Sequence, residues 1–116
     1  SEDVEWSYWA RNAGYTIVYA PDSVAMHSHN YTLRQSYRRH LGEGAADAAI
    51  FTLPRRHETF AHMVVVSTAA AVLRDLRFCL GPGRCPASIL HALALRPVQR
   101  WAHYRGYWLA KKRADA

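Results

Sequence analysis

The chain has 116 residues, a length that accommodates one domain. Half of its residues are hydrophobic and 21% are charged, which is the composition of a globular protein and excludes intrinsic disorder. No stretch reaches the roughly 18 consecutive apolar residues of a membrane-spanning helix. Two cysteines exclude the disulfide framework of a small secreted protein, so we expect Cys79 and Cys85 to be free thiols.

The charge is distributed unevenly along the chain. Residues 1–33 carry one Arg against four acidic residues, a net charge of −3. Residues 34–116 carry 14 Lys and Arg against five acidic residues, a net charge of +9. A basic region of this size favours an anionic partner, and the charge alone does not choose among nucleotide phosphates, anionic lipid and nucleic acid.

The first elements of the chain are predicted to be a helix and two short strands. Residues 4–13 have the pattern of a helix, and Gly14 is the left-handed residue expected just beyond its end. Residues 15–19 are rich in β-branched and aromatic side chains and are predicted to form a strand. A turn beginning at Pro21 separates them from a second short strand or extended segment at residues 23–27.

A helix is predicted to follow over residues 33–49. Thr32 and Gln35 have the spacing of a capping box at its start. Gly42 and Gly44 weaken it and indicate close packing, a bend or a break. The apolar stripe expected along this helix consists of Leu33, Tyr37, Leu41, Ala45 and Ala48.

The remainder of the chain is predicted to be helical. A helix over residues 55–80 is apolar nearly all round in its middle, as expected of a helix that is buried or faces lipid. Pro86 is predicted to begin another helix, which Pro97 kinks or restarts before a last segment over residues 98–112. The predicted fold class is therefore α+β and mostly α, with a short strand pair near the amino terminus followed by three or four helices.

An ordered set of short motifs occupies residues 2–44. It resembles the carboxyl-terminal part of the catalytic domain of family 2 glycosyltransferases, the inverting group with the GT-A fold, and in particular the rhamnosyltransferase-like enzymes of bacterial surface polysaccharides. The resemblance covers roughly the first 45 residues. The matching segments are EDVEW at 2–6, AGY at 13–15, IVYAP at 17–21, SV at 23–24, HSH at 27–29, YTL at 31–33, Arg39 and GEG at 42–44.

The resemblance implies roles for five residues of the matching segments. Asp3 would be the general base that takes the proton of the acceptor hydroxyl, with Glu2 beside it to orient the acceptor or hold the loop. His27, which lies 24 residues after Asp3, would ligate a divalent cation, Mg²⁺ or Mn²⁺, that stabilises the leaving diphosphate. His29, two residues further, is a weaker candidate for the same role. Arg39 would contact donor phosphates or an anionic acceptor.

The chain departs from the family pattern in two respects. Trp9 stands where many relatives carry Arg, and no DxD motif or nucleotide-binding half precedes Glu2. We therefore expect residues 1–50 to be the end of a catalytic domain and residues 51–116 to be a basic, aromatic-rich helical extension. Because the chain begins with Ser1, we expect it to be a piece of a longer protein that is inactive alone. A nucleotide-diphosphate sugar and a hydroxyl acceptor are the partners implied for the complete enzyme.

Simpler interpretations remain open for the same residues. Acidic residues in the first turn of a helix also stabilise its dipole, by about 0.3–1 kcal/mol each. Arg39, with Arg34 and Arg38, would equally suit a solvated helix face. The aromatic and basic last segment fits either a protein core or an anionic membrane surface. We expect a cytoplasmic protein, peripheral to the inner face of the plasma membrane. The alternative function is a non-catalytic basic helical protein that binds a membrane or, less favoured, nucleic acid.

Overall fold

The computed structural model describes residues 2–25, 31–51, 57–81 and 88–116, and for Glu2 only the backbone. Its helices are α1 (Glu2–Asn12), α2 (Leu33–Ile50), a π-helical segment (Ala61–Val66) that continues into α3 (Ser67–Cys79), and α4 (Ser88–Ala114). The chain divides into an amino-terminal unit, Ser1–Tyr31, and a carboxy-terminal unit, Thr32–Ala116. The amino-terminal unit contains α1, and the carboxy-terminal unit contains all the other helices.

The prediction of an α+β fold is wrong. Residues 15–20 and 23–25 are irregular, and no strand occurs in the described part of the chain. The amide of Tyr15 instead donates to the carbonyl of Ala10 at 3.0 Å, and that of Ser23 donates to the carbonyl of Ala20 at 3.1 Å. These bonds form a helix end and a turn. A segment of high strand propensity becomes a strand only where a neighbouring strand pairs with its backbone.

The ends of α1 and α2 confirm two sequence predictions. Gly14 has a φ of 85°, the left-handed conformation that lets the chain leave α1 without a Cβ clash. Thr32 begins α2 with the predicted capping box. Its Oγ1 accepts from the amide of Gln35 at 3.3 Å, and its own amide donates to Oε1 of Gln35 at 2.9 Å. The helix runs one residue past the predicted end at residue 49.

The helix predicted over residues 55–80 begins later than expected. Residues 52–56 lie outside the described part, and residues 57–59 precede the π-helical segment. The amide of His62 donates to Oγ1 of Thr59 at 3.2 Å, so a hydroxyl satisfies one of the amides that the start of a helix leaves unpaired. Ser67 donates to the carbonyl of His62 at 2.8 Å, five residues back, at the end of the π-helical segment.

Pro97 does not restart a helix, because α4 is continuous from Ser88 to Ala114. Pro86 lies outside the described residues. Interhelical contacts flank the proline on both sides: Arg96 bonds to Asp75 of α3, and Gln99 Nε2 lies 3.4 Å from Ser36 Oγ of α2. Tertiary contacts of this kind favour a continuous helix although the proline removes a backbone hydrogen bond.

The core of the carboxy-terminal unit lies where α2 and α4 approach backbone to backbone. A Cβ on Gly44 would clash with the carbonyl of His103, and a Cβ on Gly106 would clash with the carbonyl of Leu41. Close packing is thus confirmed for Gly44. Tyr107 is 2% exposed beside this contact, so a large aromatic ring fills the space next to the glycines.

The apolar middle of the π-helical segment and α3 is only partly covered. Met63 and Ala71 are buried, whereas Val65, Val66 and Leu73 are exposed. No helix within the described ranges combines the length and apolarity needed to cross a bilayer.

Candidate functional site

Asp3 lies in the first turn of α1 with its side chain exposed. Its Oδ1 accepts from the amide of Val4 at 2.9 Å, and its carbonyl accepts from the hydroxyl of Ser7 at 2.7 Å. The first turn of a helix presents free amides that favour a negative charge. The Asp3 carboxylate accepts one hydrogen bond at the start of the helix and is otherwise exposed, so an acceptor hydroxyl could reach it, as a general base requires.

The other residues of the implied catalytic and metal sites lie outside the described side chains. These are Glu2, His27 and His29. Among the side chains that the structure describes, no three His, Cys, Asp or Glu residues are grouped to hold a metal ion. The divalent cation and its ligation by His27 therefore stay predictions.

An open groove runs between α1 and the irregular segment that follows Gly14. Trp6, Trp9, Tyr15 and Val18 are among the residues that line it, and its volume is about 690 Å³. Trp6 is 67% exposed and Trp9 is 58% exposed. The amino-terminal unit therefore has an aromatic surface on the same helix as Asp3. Large exposed apolar surfaces of this kind mark sites of interaction with further protein or ligand.

Arg39 lies in α2, in the carboxy-terminal unit, whereas Asp3 lies in the amino-terminal unit. Its side chain is exposed, and its Nε donates to Oε1 of Glu43 at 2.8 Å. This is an ordinary i, i+4 ion pair on a helix surface, worth about 0.3–0.5 kcal/mol. Its role toward donor phosphates stays a prediction. Arg34 and Arg38 are exposed on the same helix.

A bidentate ion pair joins α3 to α4. Nε of Arg96 donates to Oδ2 of Asp75 at 2.6 Å, and its Nη2 donates to Oδ1 at 3.0 Å. The guanidinium of Arg96 lowers the pKa of Asp75, chiefly through this hydrogen bond, and Asp75 in turn raises the pKa of Arg96. A third donor, Nη1 of Arg96, bonds to Gln99 Oε1 at 2.9 Å. The pair fixes the register of the two helices.

Arg100 lies one turn after Arg96 on α4. Its Nε is buried and has no hydrogen-bond partner among the described residues. Burial lowers the pKa of Arg100, and the nearby charges of Arg96 and Arg74 lower it further. Arg96, which bonds to Asp75, and Arg100 thus form an arginine cluster on one face of α4.

A second polar cluster joins Glu58, which lies just before the π-helical segment, to α4. Glu58 Oε1 accepts from the hydroxyl of Tyr107 at 2.9 Å and from Nζ of Lys111 at 2.6 Å. Lys111 also lies 5.4 Å from the ring centre of Trp108, over its face. Burial raises the pKa of the Tyr107 phenol, and the bond to Glu58 raises it further. Glu58, Tyr107 and Lys111 are thus paired with one another, as in a cluster that stabilises the fold.

Cys79 is a buried free thiol at the end of α3, as predicted. Cys85 lies outside the described residues.

Comparison of the chain with protein-family models, with curated proteins and with solved structures gives no match. The glycosyltransferase resemblance therefore rests on the motifs of residues 2–44 alone.

The arginine cluster has little signal in the sequence. Asp75 and Arg96 are 21 residues apart, on helices whose facing sides are set by tertiary packing. The i, i+4 spacing of Arg96 and Arg100 could have indicated this cluster in the sequence, since it places two like charges on one face of a helix. Such a pair is unfavourable unless a partner neutralises it.

Proposed function

We propose that this chain is part of a nucleotide-sugar-dependent inverting glycosyltransferase that transfers a sugar to an acceptor hydroxyl in the synthesis of bacterial surface polysaccharide or glycolipid. The observation that carries the proposal is the exposed carboxylate of Asp3 at the start of α1. It stands at the head of the ordered motifs that resemble the family, and its free side can receive a proton.

The chemistry assigns Asp3 one task. As the acceptor oxygen attacks the anomeric carbon, a new carbon–oxygen bond forms and the bond to the diphosphate breaks. The proton of the hydroxyl passes to the Asp3 carboxylate, and the diphosphate leaves with the electron pair. A positioned base contributes about 10²–10⁴-fold to such a step. A divalent cation, held in part by His27 in this proposal, would stabilise the diphosphate charge.

The exposed aromatic groove of the amino-terminal unit supports the same proposal. Trp6 and Trp9 follow Asp3 on α1, and the side chains of Tyr15 and Val18 are more than two-thirds exposed. A nucleotide-binding half packed on this surface would bury it and bring a donor site to the helix that carries Asp3. Such burial is worth about 25 cal/mol for each Å² of apolar surface.

The decisive variant is Asp3→Asn, made in a protein that also includes the residues encoded upstream of Ser1. We expect transfer to fall by at least about 10²-fold while binding of the nucleotide sugar is retained. Glu5→Gln is the matched control, because Glu5 is an exposed acid on the same helix and has no role in the proposal. Substantial transfer by the Asp3 variant, or an equal loss in both variants, would contradict the assignment.

The upstream DNA provides an independent test. An open frame that encodes alternating strands and helices and a DxD motif would support the proposal. A start codon at Ser1, with no such coding sequence, would leave Asp3 without a donor site and would overturn it.

We also propose that the carboxy-terminal unit lies on an anionic membrane surface at the cytoplasmic face of the plasma membrane. The supporting observation is the outward face of α3 and the segment before it. Val66, Leu73 and Leu80 recur every seven residues, are exposed and share that face with Arg77. Apolar side chains flanked by arginine suit the boundary between acyl chains and anionic headgroups.

Co-sedimentation with vesicles tests the membrane proposal. We expect binding to vesicles that contain phosphatidylglycerol and much weaker binding to phosphatidylcholine alone. Leu73→Gln should reduce the binding, whereas Val24→Gln, an exposed apolar residue of the amino-terminal unit, should not. Equal binding of both variants to anionic vesicles would remove this face from the interaction.

A further inference from the structure

A second cleft of the amino-terminal unit, the Arg11 cleft, lies against the polar side of α1. Ser7, Arg11, Tyr15 and Thr16 are among the residues that line it, and its volume is about 710 Å³. The aromatic groove meets α1 at other residues, so the two clefts occupy different sides of the helix. A volume of this size falls within the roughly 300–1,000 Å³ of small-molecule sites.

Arg11 is the one Lys or Arg among residues 1–31, which carry four acidic residues. Its side chain is exposed and makes no hydrogen bond or ion pair with the residues that the structure describes. The acids of α1 lie six or more positions before it, beyond the three or four positions at which helical side chains meet. The guanidinium in the cleft is therefore accessible and has no carboxylate partner in the described part of the chain.

The carbonyl groups at the end of α1 leave Arg11 free as well. A cation in the last turn of a helix often bonds to the last carbonyls. Here the carbonyls of Trp9, Ala10 and Arg11 accept instead from the amides of residues 13–15, at 2.9 to 3.0 Å. The donors of Arg11 thus remain available to a ligand.

The other groups that line the Arg11 cleft suit a sugar. Thr16 is exposed, and its hydroxyl makes no hydrogen bond with the described residues, so it can donate or accept. Tyr15 is 72% exposed, and its ring offers an apolar surface to the C–H groups of a sugar. Ser7 donates to the carbonyl of Asp3 at 2.7 Å, which links the cleft to the turn that carries the proposed base.

Asp3 and Arg11 are spaced along one side of α1. Asp3, Ser7 and Arg11 recur every four residues, and the helix rises about 12 Å from the first to the last of them. An acceptor that spans this interval places a hydroxyl at the Asp3 carboxylate and a negative charge at Arg11. Because the acids of the unit repel an anion elsewhere, Arg11 fixes the direction in which such an acceptor lies.

We propose that the Arg11 cleft binds an acceptor sugar that carries a negatively charged substituent, a phosphate or a carboxylate. The planar guanidinium bonds to either group through two parallel N–H donors. This assignment rests on the proposed transferase function and adds the class of acceptor to it. Arg11 binds the acceptor and takes no part in the proton transfer to Asp3.

Nuclear magnetic resonance of the isotope-labelled 116-residue chain tests the cleft without transferase activity. Glucose 1-phosphate and glucuronic acid are the probes, and glucose is the neutral control. We expect the anionic probes to shift the Arg11 Nε–H and the Thr16 amide saturably. Arg11→Gln should weaken the binding about tenfold, since a hydrogen bond between charged groups is lost. Arg113→Gln, which removes the same charge from the last turn of α4, should change it less than about twofold.

Absence of a saturable shift at these residues, equal binding of glucose, or equal weakening in both variants would overturn the proposal. Binding of only one anionic probe supports it and identifies the substituent.

Transfer assays separate this proposal from the transferase function. In a protein that also includes the residues encoded upstream of Ser1, Arg11→Gln should raise KM for the charged acceptor about tenfold and leave kcat unchanged. An unchanged KM would overturn the assignment as an acceptor site. A chain that binds the anionic probes but transfers no sugar would contradict the transferase function and not the anion site.

Discussion

The two units of the chain bury their apolar side chains to different extents. In the carboxy-terminal unit α2 and α4 meet at Gly44 and Gly106, and Tyr107 is 2% exposed beside them. In the amino-terminal unit Trp6 and Trp9 are more than half exposed along a single helix. Similar residue types thus form a core in one region and an open surface in the other.

The difference shows that a helix needs a second element against which it can bury its apolar face. Helices gain most of their stability from packing an apolar face against another element, and the described residues of the amino-terminal unit hold no second helix beside α1. The carboxy-terminal unit supplies three helical elements for each other. We infer that it is self-sufficient and that the amino-terminal unit is completed by further protein, as the proposed catalytic domain requires.

The largest expected effect comes from disrupting the close packing of α2 against α4 in the carboxy-terminal unit. Gly106→Ala places a methyl group against the carbonyl of Leu41, so α2 and α4 must separate. We expect the free energy of unfolding to fall by about 3 kcal/mol. Gly42→Ala is the control, because nothing lies near its Cβ position, and it should stabilise α2 by about 0.5–1 kcal/mol. Urea denaturation of both variants measures the difference, and similar effects would contradict the close approach.

Replacement of the half-buried Trp108 by Ser should destabilise the carboxy-terminal unit by about 2 kcal/mol, because the ring packs against Tyr107. The matched substitution Trp9→Ser, in α1, should change that unfolding by less than about 0.5 kcal/mol. It should also reduce aggregation, since an exposed aromatic ring is removed. A clear loss of thermal stability in the Trp9 variant would show that α1 contributes to the packed core.

The ion pair between α3 and α4 gives a prediction that depends on pH. Arg96 lowers the pKa of Asp75 in the folded chain, so the contribution of this carboxylate is full above the usual aspartate pKa. It is lost as the pH falls through the lowered value. Asp75→Asn should cost about 1–2 kcal/mol at neutral pH, and the difference from the parent chain should vanish at acid pH.

Denaturation curves across the acid range measure that convergence. Asp115→Asn is the control, since Asp115 is exposed beyond the end of α4. A stability difference for Asp75→Asn that persists unchanged at low pH would contradict the ion pair.

The smallest expected effect concerns the phenol of Tyr107. Tyr107→Phe removes the bond to Glu58 but leaves Lys111 to pair with that carboxylate, so we expect a loss of about 1 kcal/mol. Burial raises the pKa of Tyr107, so its contribution is present below the usual tyrosine pKa and lost as the pH rises through the raised value. Tyr19→Phe, on an exposed side chain of the amino-terminal unit, should change nothing. Equal alkaline unfolding of the parent and both variants would contradict the assignment.

Local signals in the sequence predicted the ends of helices well. The capping box at Thr32 and the left-handed Gly14 depend only on residues within four positions, and both are confirmed. The strand predicted over residues 15–19 is wrong because strand formation needs a partner that no local pattern supplies. The proline at 97 does not restart α4 because contacts to α2 and α3 flank it.

The core of the carboxy-terminal unit was harder to predict than its helices. The apolar stripe expected on α2 would bury Leu33, but Leu33 is exposed and the buried residues of α2 are Ser36 and Gly44. Two backbones that approach closely select small residues, and a search for apolar periodicity passes over these. The candidate base Asp3 could be proposed from motif order alone, whereas the arginine cluster requires knowledge of which helix faces meet.

Hydrogen exchange of the whole 116-residue chain, followed by mass spectrometry, tests the contrast between the units most directly. We predict slow exchange at the amides of α2 and α4 that flank Gly44 and Gly106, because their opening requires global unfolding. Residues 16–20 should exchange at nearly the rate of an unstructured peptide. Equal protection of the two regions would contradict the account, since the amino-terminal unit would then be stable without further protein.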